Sequence, residues 1–209
     1  HLNGIVPYEN THPPLGKVFI MIGVWIFGMV PFGWRIVGTL FGVAMIPAIY
    51  AFARAIFRKT WVAFAAALLL AVDFMHFTQT RIATIDVYGV FFIIMMFYFM
   101  YRYTQTNYLC QGLKQPLKYL FLSGLMFGLG AASKWIVLYG GAGLAVLFFW
   151  TLYQRYTEYR WAKERLPGAG GEEREKLQAA VNAFWPGTIK ILACCVLFFI
   201  AIPVGIYVA

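Results

Sequence analysis

The chain has 209 residues and a net charge of +9, and 62% of its residues are hydrophobic while only 12% are charged. Soluble domains carry about 25% charged residues, so this composition excludes an ordinary soluble protein and indicates an integral membrane protein. The positive charge does not point to nucleic acid, because basic residues beside membrane spans commonly fix orientation.

The first apolar stretch of the chain, residues 18–30, is short for a membrane span. At the rise of an α-helix it extends about 20 Å, whereas the hydrocarbon core is ~30 Å thick. We therefore predict a juxtamembrane helix that lies in the interface.

The rest of the chain predicts an all-α, multi-pass membrane protein with about six spans. The break at "GAASKW" divides one long apolar run into two of them. The predicted spans are 36–53, 61–80, 82–101, 118–133, 135–153 and 189–208.

A charged segment, 154–188, separates the last two spans. Its "RWAKERLPGAGGEEREKLQ" predicts two short helical pieces around a Pro-Gly turn. The domains expected are 1–34 (the end of an external loop with the juxtamembrane helix), 35–153 (the transmembrane core), 154–188 (a cytoplasmic charged loop) and 189–209 (a final transmembrane helix).

The basic residues are distributed unevenly between the two sides of this topology. Arg54, Lys114 and all six basic residues of 154–188 fall on one side, which we predict to be cytoplasmic. Lys17 and Lys134 are predicted to lie outside.

The cysteines and histidines give no metal-binding pattern. Cys194 and Cys195 are adjacent within an apolar run, and Cys110 is isolated in a predicted loop, so all three are interpreted as small apolar residues. No cofactor is expected; a metal is an alternative that the sequence does not support, because His12 and His76 lack a clear ligand set.

The segment "THPPLGK" precedes the juxtamembrane helix. Pro13 and Pro14 can begin a helix, with Lys17 one turn inside it. The motif is either a rigid helix start with a snorkelling lysine or part of a binding site.

"DFMHFTQTRIATID" places Asp73, His76, Arg81 and Asp86 where one predicted span ends and the next begins. Arg81 and Asp86 could bind an anionic head group and a hydroxyl, or could simply pair with each other.

Two further basic residues lie on the same predicted side as Arg81. Arg35 opens a span within "GWR", and Lys134 follows a glycine-rich stretch. Each could be an interface anchor, but together with Arg81 they could surround the phosphate of a lipid carrier. The sequence contains no glycine-rich nucleotide loop, so a lipid-linked donor fits better than a soluble nucleotide sugar.

In this order, "THPPLGK", "WR", "D…TR…ID" and "GLMFGLGAASKW" resemble the protein O-mannosyltransferases, which are membrane glycosyltransferases of the GT-C type. The resemblance covers about residues 8–150. It implies a helical enzyme that moves a sugar, with mannose expected, from a polyprenyl-phosphate to a hydroxyl acceptor such as Ser or Thr of a protein. Transfer is expected at the extracytoplasmic face with inversion.

The same resemblance assigns roles to individual residues. Arg35, Arg81 and Lys134 match the expected contacts to the donor phosphate. The wider substrate pocket is expected to include His12, Lys17, Asp73, Asp86 and Trp135.

The acidic pair of the family, whose Asp is the expected general base, has no counterpart before "HPPLGK" in this chain. The base is therefore unknown and expected upstream of residue 1, which would leave this chain inactive alone as part of a longer protein.

The expected partners are the lipid-linked donor, a protein or glycan acceptor and membrane lipids, without nucleic acid. A GT-C enzyme with another sugar, or with a lipid or cell-envelope acceptor, remains an alternative, as does a transporter or structural membrane module. Transporters place charges near the bilayer midplane on repeated halves, whereas here the charges lie at span ends, which favours the enzyme. The bacterial plasma membrane is expected, with the endoplasmic reticulum as the alternative.

Overall fold

The computed structural model describes residues 12–208 of the chain. All regular structure within this range is helical. The helices are α1 (Leu15–Phe27), α2 (Pro31–Phe57), α3 (Thr60–Val72), α4 (Phe74–Gln79), α5 (Asp86–Thr104), α6 (Tyr108–Gln111), α7 (Lys114–Ser133), α8 (Ile136–Arg165), α9 (Gly171–Val196) and α10 (Ile202–Val208). A 3₁₀ turn, Leu166–Gly168, joins α8 to α9, and a π-helical turn, Leu197–Ala201, joins α9 to α10.

Four helical segments within residues 12–208 are long and apolar enough to cross a membrane. They are Pro31–Phe57, Asp86–Thr104, Ile136–Gly168 and Gly171–Val208. The predicted span 118–133 lies within α7, which has 20 residues and is long enough to cross. It is not among these four, because its polar residues lower its mean hydropathy. The fold is therefore that of an all-α membrane protein, as predicted, with fewer clear spans than the six expected.

The predicted span 61–80 is divided in two by Asp73. Its α3 half has only 13 residues. The carboxylate of Asp73 then accepts a hydrogen bond of 2.6 Å from the backbone N–H of His76, which caps the start of α4. A carboxylate in this position satisfies the exposed amides of a new helix, so the break is encoded locally.

The charged segment 154–188 is helical on both sides of its turn rather than an irregular loop, and the domain boundaries drawn from sequence stay predictions. Residues 154–165 continue α8, and 171–188 form the first part of α9. The turn occurs at Pro167 and Gly168, as the sequence indicated. Both helices extend past their apolar parts. Ion pairs one turn apart support the extensions, Arg160 with Glu164 in α8 and Lys176 with Glu172 in α9.

The juxtamembrane segment 18–30 contains most of α1, which ends at Gly28 in a positive-φ conformation (φ +82°). Such a backbone angle favours glycine. The chain then reverses into α2, and Gly23 of α1 packs directly on the backbone of Gly33. The glycines thus let α1 lie close against the first turns of α2.

The core lies where α5, α7, α8 and α9 meet, and it includes Met96, Leu120, Val137 and Ile191. Gly124 of α7 contacts the backbone of the π-helical turn so closely that a Cβ there would lie 2.5 Å from the carbonyl oxygen of Phe198. Because hydrocarbon provides no hydrophobic drive between helices, such close backbone packing is the main source of association inside the membrane.

Candidate functional site

The segment between α4 and α5 is anchored to the side of α2. The Thr39 hydroxyl on α2 lies 3.0 Å from the carbonyl oxygen of Thr80 and can donate a hydrogen bond to it. The Thr80 side chain is buried and fills the space beside Gly42, where any Cβ would clash with it. The backbone directly before Arg81 is therefore held against α2.

This anchoring brings two of the predicted phosphate contacts together. Arg35 and Arg81 line a common cavity of about 440 Å³, whose other lining residues are Pro31, Phe32, Ile36 and Thr39. The guanidinium of Arg81 lies 4.4 Å from the centre of the Phe77 ring, in a cation–π contact at an exposed position. Neither arginine forms an ion pair with a carboxylate of residues 12–208.

The third predicted phosphate contact, Lys134, has a protein partner. Its ammonium forms an ion pair with the carboxylate of Asp86 at the start of α5. The Lys134 side chain is 22% exposed and that of Asp86 is 50% exposed, so the pair is partly screened by solvent. Lys134 is not among the residues that line the cavity of Arg35 and Arg81.

The same ion pair answers the question that sequence left open for Arg81 and Asp86. These two residues do not pair with each other; Asp86 pairs with Lys134 instead. The stem of Lys134 lies across Gly89, one turn further along α5, where an added Cβ would be 3.4 Å from the lysine Cβ.

The "HPPLGK" motif lies beside this ion pair. Gly16 packs so closely that a Cβ there would lie 2.9 Å from the Cβ of Ile85 and 3.2 Å from the carbonyl oxygen of Ser133. Ile85 directly precedes Asp86, and Ser133 directly precedes Lys134. The glycine thus brings α1 against both segments that carry the charges.

The other predicted pocket residues do not line the cavity of Arg35 and Arg81. His12 is exposed just before α1, and Lys17 is half-buried in its first turn. Trp135 packs edge-on against Tyr207 of α10, with 6.2 Å between the ring centres. Asp73 is engaged as the cap of α4 and does not line the cavity.

Sequence reasoning missed Thr39, Gly16 and Gly89. A signal was present for Thr39, because a hydroxyl in an apolar span, one turn after Arg35, is a polar residue at membrane depth. Within residues 12–208 there is no group of three or more His, Cys, Asp or Glu side chains that could hold a metal ion.

The model of the dolichyl-phosphate-mannose-protein mannosyltransferase family matches residues 11–168 of the chain. The chain belongs to this family. The match includes α1 to α8. It therefore covers the two arginines of the cavity and the ion pair of Lys134 with Asp86. Family membership thus confirms the resemblance drawn from the motifs.

Three relatives of the chain come from Mycolicibacterium, Corynebacterium and Mycobacterium species. The polyprenol-phosphate-mannose–protein mannosyltransferase of Mycolicibacterium smegmatis is 33% identical over 66% of this chain and 29% of its own length. The enzyme of that name from Corynebacterium glutamicum is 33% identical over 62% of this chain and 28% of its own length. The one from Mycobacterium tuberculosis is 40% identical over 42% of this chain and 17% of its own length. The chain thus spans about three tenths of the length of the first two relatives and about a sixth of the length of the third. No solved structure matches it.

Proposed function

We propose that this chain forms the donor-phosphate side of a membrane glycosyltransferase that moves mannose from a polyprenyl-phosphate to a hydroxyl acceptor on protein. The observation that carries the proposal is the cavity lined by both Arg35 and Arg81, neither of which forms an ion pair with a carboxylate of residues 12–208. Two guanidinium groups facing one space favour an anion, and a phosphate can accept bidentate hydrogen bonds from each. The names of the relatives supply the donor and acceptor.

Charge stabilisation at the phosphate is the chemistry that these arginines would contribute. When the bond between the anomeric carbon and the phosphate oxygen breaks, that oxygen gains negative charge. Guanidinium groups already in place stabilise this charge without reorganisation. The transfer then needs a base that takes the proton of the attacking acceptor hydroxyl.

Neither Asp73 nor Asp86 is assigned as this base. The carboxylate of Asp73 caps α4, and that of Asp86 is paired with Lys134. We propose instead that Lys134 compensates the charge of Asp86 at the edge of the site, so that the carboxylate does not repel the donor phosphate.

The site is proposed to face the extracytoplasmic side of a bacterial plasma membrane. The positive-inside bias supports an external start of α2 and a cytoplasmic turn between α8 and α9, and relatives from mycobacteria and corynebacteria support a bacterial membrane. Labelling of single cysteines with an impermeant thiol reagent tests this in a variant lacking Cys110, Cys194 and Cys195. We expect Met29→Cys to react in intact cells and Gly170→Cys to react only after permeabilisation; reaction of Gly170→Cys from outside would reverse the topology.

The donor class can be tested in the full-length enzyme reconstituted in liposomes. We expect transfer to a Ser/Thr-containing peptide from polyprenyl-phosphate-mannose but not from a nucleotide-linked mannose. Transfer from the nucleotide sugar without any lipid carrier would contradict the proposal. Transfer of a different sugar, or transfer only to a lipid or cell-envelope glycan, would keep the phosphate site but change its substrate.

A further inference from the structure

We propose that Thr39 is a positioning residue for Arg81. The inference rests on the proposed function, since it concerns how the same phosphate cavity is built. The Thr39 hydroxyl lies between two carbonyl oxygens, 3.1 Å from that of Arg35 and 3.0 Å from that of Thr80. One hydroxyl therefore connects the backbone of the first arginine to the residue directly before the second.

The bond to Thr80 differs from an ordinary helix contact. A threonine in a helix commonly donates to the carbonyl four residues earlier, and the contact with Arg35 is of this kind. Thr80, in contrast, is 41 residues away along the chain. Because a hydroxyl has a single proton, it is shared between the two acceptors or donated to one at a time.

Other contacts of the segment explain why this bond would control Arg81. Thr80 is buried beside Gly42 and donates its own hydroxyl to the carbonyl of Phe77 at 3.2 Å. Arg81 itself is exposed and stacks on Phe77, which belongs to the same short segment. The hydrogen bond from Thr39 thus links this segment to α2, the helix that carries Arg35.

The position of Thr39 explains how its hydrogen bond to Thr80 would affect phosphate binding. Thr39 lines the cavity together with both arginines. If Thr80 moves away from α2, the guanidinium of Arg81 moves away from that of Arg35, and a phosphate can no longer contact both. Two groups that must meet one ligand depend strongly on their separation.

Binding of a short-chain polyprenyl phosphate to the full-length enzyme in nanodiscs tests this role, with the uncharged polyprenol as reference. Thr39→Val keeps the side-chain shape but removes the hydroxyl, and we expect about fivefold weaker binding, the size of one neutral hydrogen bond. Thr39→Ser keeps the hydroxyl and should bind like the wild type. Thr151→Val is the matched control, because Thr151 donates only to the carbonyl of Leu147 within α8 and lies outside the cavity.

The double variant with Arg81→Ala decides whether Thr39 acts through Arg81. We expect Thr39→Val to weaken binding no further in that background. An equal loss with and without Arg81, or wild-type binding by Thr39→Val while Arg81→Ala is defective, would overturn the positioning role and leave the proposed function standing. Wild-type binding by Arg81→Ala would instead overturn the proposed function. If Thr39→Val lowers the melting temperature, the pair Thr39→Ala and Thr39→Ser gives the same comparison, and failure of serine to restore binding would also overturn the role.

Discussion

Replacing Arg81 with alanine in the full-length enzyme is expected to slow sugar transfer from polyprenyl-phosphate-mannose by roughly 30- to 1000-fold. The loss corresponds to about 2–4 kcal/mol of stabilisation of the departing phosphate. Arg35→Ala should have an effect of the same order, because both guanidinium groups line one cavity. Initial rates at saturating acceptor, corrected for expression level, provide the measurement.

The matched control for these variants is Arg54→Ala. Arg54 lies on the same helix, α2, but in its last turn, and it is exposed. Its removal changes the net charge equally and should leave turnover within a few-fold of the wild type. If the Arg35 and Arg81 variants fold and turn over like Arg54→Ala, the arginines are interface anchors and the phosphate site is wrongly placed.

The second effect is expected at Lys134. In Lys134→Met, the carboxylate of Asp86 loses its partner beside the site, where it can repel the donor phosphate. We expect transfer to fall by roughly twofold to fivefold, equivalent to about 0.4–1 kcal/mol, because solvent screens the half-exposed carboxylate. The rate of transfer and the melting temperature in detergent should be measured together.

The double variant Lys134→Met with Asp86→Asn distinguishes two roles for the lysine. If Lys134 acts by compensating Asp86, as the ion pair indicates, removal of both charges should restore most of the lost activity. If the double variant is as slow as Lys134→Met alone, the lysine contacts the donor phosphate itself, as the sequence motif alone suggested.

The sequence was informative where the length of an apolar run or the chemistry of a turn decides the structure. The apolar runs located α2, α5, α8 and the end of the chain, and the Pro-Gly turn at 167–168 was read correctly. The motifs also identified the family. The helix break at Asp73 was missed because the length of apolar sequence outweighed one carboxylate, although that carboxylate is a good helix cap.

The partners of charged side chains could not be read from sequence spacing. Arg81 and Asp86 are five residues apart, yet Asp86 pairs with Lys134, 48 residues away. That pairing depends on how α5 and α7 pack, and on Gly16 and Gly89 leaving room for the chains that meet there. A linear motif names the residues of such a site, whereas the helix packing decides which of them act together.

An experimental structure of the full-length enzyme with a non-transferable polyprenyl-phosphate-mannose analogue would test the central proposal most directly. The expected result is a donor phosphate within hydrogen-bond distance of the guanidinium groups of both Arg35 and Arg81, with Thr39 still bonded to Thr80. A phosphate bound elsewhere, with both guanidinium groups contacting only protein, lipid head groups or water, would contradict it.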